Sequence, residues 1–285
     1  MIKAVILDVD GVLIGEKNGF NFPKPHPDVI QALKAVEGKG VKISLCTARP
    51  HVALDKIIIE AGLNNIHITD GGGVVLNPVT GKVVKQHSID PAAAVKLVEM
   101  LVAANIYVEI YTVDDYFVQK NQQGKLTDIH EKVLQIKPVL VDSIVEKTKS
   151  SKVVKMMLPV IPETQKAEVE KICQDFLDNI ILSWGIHPIA LPVEFAIITA
   201  VGVSKASGAR EVAENSGVSF DQMLGVGDSG SDWQFINLTK YGAAVGNATN
   251  QLKELVTSKG EEFGYIGSSV DENGIIDIFR HFQLL

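Results

Sequence analysis

The sequence predicts an α/β protein in which the two ends of the chain build one parallel, doubly wound sheet and the middle builds a separate mixed α+β block. Three observations carry this expectation. Short apolar runs alternate with helical patterns in the first third, the same alternation returns in the last third, and the middle changes to short strands at hairpin spacing. The expected division is residues 1–83 with 194–285 for the sheet domain and 84–193 for the inserted block.

Each element has a local reason. Ala4-Val5-Ile6-Leu7 is uniformly apolar and reads as a buried strand, ended by Asp8 and the turn-permissive Gly11. Pro23, Pro25 and Pro27 mark a loop, and a helix is expected from Asp28 to Gly38. Val41 to Cys46 is a second apolar strand, Thr47-Ala48-Arg49-Pro50 a turn, and a helix runs to Ala61 before Gly62. Ile66 to Ile68 reads as a third strand, broken by Asp70-Gly71-Gly72-Gly73. In the middle, Asn77 to Lys82 suits a hairpin turn, and Pro91 to Ala104 is a helix capped by Asp90. Ile106–Thr112 and Tyr116–Gln119 suggest an antiparallel pair. Further strands are expected at 153–158, 180–183 and 193–198, with a helix at 163–177. The last third reads as a helix from Lys205 to Asn215, strands at 222–226 and 243–245, and a helix from Asn250 to Thr257.

The chain has 285 residues, 46% of them hydrophobic, and a formal net charge of −7. That length suits one large or two modest domains with a substantial core. The acidic balance argues against general nucleic-acid affinity while leaving room for a small anionic substrate held by a local Lys or Arg. No apolar run approaches a membrane span, and the start lacks a signal-peptide pattern, so a cytoplasmic protein is expected. Cys46 and Cys173 lie in apolar segments and read as buried small hydrophobes rather than a disulfide.

Four polar clusters follow strands or open helices. Asp8 and Asp10 stand at the carboxyl end of the first strand, where open α/β sheets place ligands. Two acids there repel one another and lose hydration, which calls for a cation between them. The pattern suggests an Asp nucleophile with an acid/base partner at a Mg2+ site. Thr47 ends the second strand, where a hydroxyl either binds phosphate or caps a helix; Arg49 beside it either meets an anion or lies in solvent. Lys205 opens a helix against the dipole, which makes sense for a phosphate ligand. Gly225 to Trp233, GVGDSGSDW, brings Asp228 and Asp232 together with glycines that permit close backbone approach. Oxygen donors at this density suit Mg2+ better than zinc.

DVDGVL, Thr47, Lys205 and GDSGSD, in that order, resemble the four motifs of the haloacid dehalogenase (HAD) superfamily of phosphohydrolases across essentially the whole chain. The run from Val203 to Ile236 resembles its Cof-type branch, and the middle block its C2-type (IIB) cap. The resemblance implies a HAD-like Rossmannoid core and a Mg2+-dependent phosphatase acting on a small phosphorylated metabolite, such as a sugar phosphate, through an aspartyl-phosphate. In that scheme Asp8 attacks and Asp10 acts as acid and base. Asp8, Asp10, Asp228 and Asp232 surround the metal; Thr47, Lys205, Gly11 and Ala48 surround the phosphate. Arg49, Glu109, Tyr111, Asp114, Asp115 and His187 are candidate substrate contacts, with a turn between two strands the alternative for Asp114 and Asp115. Ser231, Ala48, Val12 and Asp70 depart from the branch's usual residues, which bears on substrate choice and rate rather than reaction class. A phosphomutase on the same scaffold and a catalytically silent binding protein are the alternatives. Monomer and homodimer both stay open, because an exposed sheet edge in the middle block could pair with another chain.

Overall fold

The computed structural model describes the backbone of residues 1–285 and every side chain except that of Pro188. It contains two compact units: residues 1–48, 54–85 and 204–285 form the first, and residues 49–53 and 86–203 the second. The chain runs β1 (Ala4–Leu7), α1 (Pro27–Gly38), β2 (Lys42–Leu45), α2 (Asp55–Ala61), β3 (His67–Thr69), β4 (Val74–Asn77) and β5 (Lys82–Gln86). It continues through α3 (Pro91–Ala103), β6 (Glu109–Tyr111), β7 (Tyr116–Gln119), α4 (Lys125–Leu134), β8 (Val139–Val141) and α5 (Ile144–Lys149). Next come β9 (Lys155–Val160), α6 (Pro162–Gln174), β10 (Ile180–Ile186) and β11 (Glu194–Ala200). The last stretch is α7 (Lys205–Ser216), β12 (Met223–Gly227), α8 (Trp233–Ile236), β13 (Tyr241–Ala244), α9 (Asn250–Thr257), β14 (Gly264–Ile266) and α10 (Gly274–His281). Among the described residues no helix is long and apolar enough to cross a membrane.

The first unit is built on a five-stranded parallel sheet ordered β14-β13-β12-β1-β2. β1 is buried along its whole length, as its four apolar residues require of a strand packed on both faces. The chain leaves β1 toward β2 on one side and later fills β12, β13 and β14 on the other. The strand order therefore reverses between β1 and β12, and the carboxyl ends of those two strands flank a topological switch point. Sequence and structure differ at β3. It belongs to a separate three-stranded sheet with β4 and β5, runs antiparallel to β4, and touches the main sheet through a parallel bridge between Cys46 and Ile68. The glycine run after Thr69 turns the chain back immediately, leaving three residues for the strand.

His67 on β3 is fully buried, and its Nδ1 accepts a hydrogen bond from the Leu45 N–H at 3.0 Å. Its proton therefore sits on Nε2, which has no hydrogen-bond partner. Burial pushes the imidazole down to about 3 from its ordinary 6.5. The unfolded chain takes up this proton below about pH 6.5 and the folded chain does not, so stability falls as pH drops through that window. The expected loss at pH 5 relative to pH 7 is about 2 kcal/mol. Carboxylates whose pKa is raised act in the opposite direction, so the measurement is the difference in urea midpoint between wild type and His67→Gln at both pH values. Equal pH slopes for the two proteins would refute it.

The second unit carries a six-stranded sheet ordered β10-β11-β9-β6-β7-β8, antiparallel except where β7 meets β8. One face, with Ile110, Met156, Leu158, Ala196 and Ile198, packs with residues of α3 and α6 into a single apolar cluster. α3 starts at Pro91, and Asp90 caps it by accepting from the Ala93 N–H. β11 pairs with both β9 and β10, which places Glu194–Ala200 in this unit and moves its end to Val203, beyond the expected 193. α4 packs against β9 on the other face, where Glu109, Tyr111 and Lys155 are buried.

Candidate active site

Asp8 follows β1 directly, and its backbone N–H still donates to the Val226 carbonyl on β12 at 3.0 Å, so the carboxyl group is fixed at the switch point. Gly11 turns the chain there with φ +79°, and a Cβ at this position would collide with the Asp228 carboxylate. Only glycine combines that backbone conformation with so close an approach. Asp228 follows β12. Asp232 caps the turn after it: one oxygen accepts from the backbone N–H groups of Asp228 and Ser229 at 2.9 and 3.0 Å. A Cβ on Gly227 would run into the Asp232 side chain, which explains the glycine at the end of β12.

Lys205 ties these groups together. It is the first residue of α7, behind the Ser204 cap, and its Nζ donates to Asp8 Oδ1 at 2.9 Å and Asp232 Oδ1 at 2.6 Å. Asp8, Lys205 and Asp232 are 7%, 8% and 0% exposed. Burial, then the charge of Asp232, lifts Asp8 to about 7. Burial, then the charge of Asp8, lifts Asp228 to about 8. Burial pulls the Lys205 ammonium down, but Asp232 and Asp8 outweigh it and hold the group well above the usual lysine range.

Asp8, Asp228 and Asp232 each offer a carboxylate oxygen, and these oxygens lie within 4.8 Å of one another. When all three are ionised, three carboxylates against one ammonium leave two negative charges, the deficit that one divalent cation neutralises. The donors are all oxygen, which suits a hard cation such as Mg2+. The residues present therefore fit the metal that the sequence implies. Asp232 fits less as a ligand than as an anchor, because one of its oxygens holds the 228–229 turn and the other holds Lys205.

Thr47 lies at the same sheet edge, since the Cys46 N–H donates to Leu7 O at 2.7 Å and so sets the end of β2 beside the end of β1. Its backbone is fixed on both sides: the N–H donates to Ile68 O, and the carbonyl accepts from Gly71 N–H, each at 3.0 Å. Asn247 is an addition that no motif flagged; its amide donates to the Gly11 carbonyl at 2.9 Å and its oxygen accepts from Val270 N–H at 2.8 Å, bracing the first loop. Cys46 is buried, and burial pushes its thiol well above the ordinary range, which excludes a thiolate nucleophile here.

The candidate substrate contacts fall in the second unit. Arg49 is buried, and His187 is half-buried after β10. Glu109 needs correction. It is fully buried, accepts from Tyr107 at 3.0 Å and Tyr111 at 2.7 Å, and lies 2.7 Å from His130 Nδ1. Its carboxylate is occupied in holding β6 to α4, and Tyr111 is buried beside it. Asp114 and Asp115 form the β6–β7 turn, in which Thr112 N–H donates to Asp115 O at 2.9 Å. Glu109→Ala is expected to destabilise the protein by about 3–5 kcal/mol, because it removes the buried carboxylate on which Tyr107, Tyr111 and His130 converge. A melting temperature unchanged from wild type would show that the network carries no such weight.

A sequence profile of the haloacid dehalogenase-like hydrolases matches residues 5–279. A Streptococcus pyogenes serotype M6 protein provisionally named a phosphatase is 23% identical over 286 residues, covering 99% of both chains. The phosphatase YwpJ of Bacillus subtilis strain 168 is 19% identical over 296 residues, 98% of this chain and 99% of its own. Among solved structures, the HAD subclass IIB sugar phosphatase BT4131 superposes with a TM-score of 0.75 at 22% identity, covering 99% of this chain and all of its own. With the profile spanning nearly the full length and the fold shared, the chain belongs to the haloacid dehalogenase-like hydrolase family.

Proposed function

We propose that this hydrolase is a Mg2+-dependent phosphatase that cleaves a small phosphorylated metabolite, in the class of sugar phosphates, through a phosphorylated Asp8. The observation that carries the reading is the buried Asp8–Lys205–Asp232 chain with Asp228 alongside, at the switch point of the sheet. Relatives named as phosphatases and the likeness to a sugar phosphatase support the substrate class.

Asp8 and Asp228, with the Asp10 carbonyl, would hold the metal, which supplies positive charge that lets a carboxylate approach a phosphate dianion. Lys205 fixes the Asp8 carboxylate through Oδ1, and an oxygen of that carboxylate is the attacking atom. It bonds to phosphorus as the bond from phosphorus to the substrate oxygen breaks, and Asp10 donates a proton to that leaving oxygen. Asp10, now a carboxylate, takes a proton from water; the water oxygen bonds to phosphorus, the Asp8–phosphorus bond breaks, and phosphate leaves. Thr47 and the Lys205 ammonium balance charge on the non-bridging oxygens during both transfers.

The test is phosphate release from a panel of phosphorylated sugars and related monoesters, with Mg2+ and with chelator. Release that depends on Mg2+ and favours one sugar phosphate is expected. Release unaffected by chelator would overturn the metal assignment, and transfer of the phosphoryl group between positions of the substrate without phosphate release would replace the phosphatase by a mutase.

A further inference from the structure

The two edges of the second unit's sheet are built differently. β8, at one edge, has three residues, follows Pro138 and runs directly into Asp142. Shortness, proline and charge are the usual protections of an edge strand. β10, at the other edge, has seven residues, Ile-Ile-Leu-Ser-Trp-Gly-Ile, without charge or proline. Ile181 is 39% exposed and Ile186 64%. Lys166, the lysine over this strand, does not stand off it as a guard: it lies on the Trp184 ring at 4.5 Å and is tied back to Glu194 at 2.7 Å. A long, uncharged, apolar edge left unpaired is a template for uncontrolled strand addition.

We propose that β10 is a homodimer interface, in which two copies pair β10 antiparallel across a two-fold axis at Ser183 and join their sheets into one. The backbone pattern selects this register. Val201 N–H donates to the Asn179 carbonyl, so by antiparallel alternation residues 181, 183 and 185 bond inward to β11, while Leu182 and Trp184 point their N–H and C=O groups outward. An axis at Ser183 sets Leu182 opposite the second copy's Trp184 and the reverse, giving four backbone hydrogen bonds between outward-pointing groups. It also sets the exposed Ile181 opposite Gly185, where no side chain stands in its way. An axis one residue further on would leave the start of the strand unpaired.

The flanking surface agrees. α6 lines the helix side of this edge with Ala167, Glu170, Lys171 and Gln174 above Leu177 and Leu182, around a groove of about 510 Å³. Its adjacent acidic and basic residues give each copy both signs to offer the other and no net charge to repel it. Seven residues at about 3.4 Å each make an edge roughly 24 Å long, and the sheet with its helix layer is about 21 Å deep. That is roughly 500 Å² per copy, about 1,000 Å² in all, the lower bound for a specific dimer. The blunted β8 edge stops assembly at two copies, because it offers no second strand to continue the sheet.

The test is sedimentation velocity on the full chain at tens of micromolar, for wild type and for the double variant Ile181→Lys/Ile186→Lys. Both side chains are exposed, so the fold tolerates the change, and circular dichroism checks it. Wild type is expected at twice the monomer mass and the variant at the monomer mass, with the dimer dissociation constant raised by at least about 100-fold. Ser183→Cys is expected to form an interchain disulfide on mild oxidation, since facing residues of a non-hydrogen-bonded pair lie about 4.5 Å apart at Cα. A monomeric wild type would overturn the proposal and leave the edge to a strand from another protein. A dimer that withstands both lysines, or that does not cross-link through position 183, would overturn it equally.

Discussion

Asp8→Asn is expected to lower the rate of phosphate release by at least about 10⁴-fold while the metal-free protein melts no lower than wild type. In the proposed mechanism the rate falls because an amide cannot act as the oxygen nucleophile that becomes phosphorylated. The stability holds because the wild-type site stores repulsion. Burial and the neighbouring acid Asp232 already raise Asp8 to about 7, and burial with Asp8 raises Asp228 to about 8. The amide side chain removes one of three crowded carboxylates, keeps the shape, and still offers an acceptor to Lys205, which retains Asp232 as its charged partner. A site that gains stability when its reactive group is neutralised is one whose strain serves function. On the proposed metal site, Mg2+ is expected to raise the melting temperature of wild type, and the same substitution should shrink that rise, since one ligand would be lost. Two measurements settle it: phosphate release at saturating substrate, and melting curves with Mg2+ and with chelator. Turnover within about tenfold of wild type would remove Asp8 as the nucleophile.

Much of this site was legible in the sequence because its chemistry is carried by short local runs. DVDG and GDSGSD each place their acids immediately after an apolar strand, and the strand end fixes where those acids go. Lys205 was legible for a different reason: a cation at a helix start is electrostatically unfavourable unless something nearby needs it. The sequence could not say what that was, because Asp8 and Asp232 are brought to Lys205 by the order of strands across the sheet. Glu109 marks the opposite limit. A carboxylate in an aromatic strand looks like a recognition group, yet its partners Tyr107 and Tyr111 lie two residues away on the same face, and His130 arrives on α4. α4 itself, Lys125–Leu134, escapes a sequence reading because it is short and polar and begins at Gly124, which has no side chain to cap it. α5 does carry a signal, Ser143 accepting from Glu146 N–H, but six residues give too little periodicity to find it. β14 and α10 escape at the other end of the chain, where α10 starts from Asn273 in the left-handed conformation rather than from a side-chain cap. β11 is legible as a strand but not as a member of the second unit, because its pairing with β9 and β10 is not written in any local run.

Lys205→Met is expected to be the most destabilising change in the site, costing about 3–5 kcal/mol in the absence of metal. The lysine is the cation that bridges Asp8 and Asp232, and both carboxylates are buried. Methionine fills a similar volume but leaves those acids facing each other without compensation. They then protonate or the fold loosens, and either response lowers stability near neutral pH. The electrostatic account makes a second demand that a packing account does not. A divalent cation at the same carboxylates supplies part of the missing charge, so the deficit should be smaller with Mg2+ than with chelator. Turnover should fall by about 10²–10³-fold even with Mg2+ present, because the cation cannot also stand where the ammonium meets the non-bridging oxygens. Urea unfolding with and without Mg2+, alongside phosphate release, separates the contributions. Equal destabilisation in both conditions would mean that Lys205 matters for its bulk, and that charge balance between α7 and the ends of β1 and β12 does not govern this site.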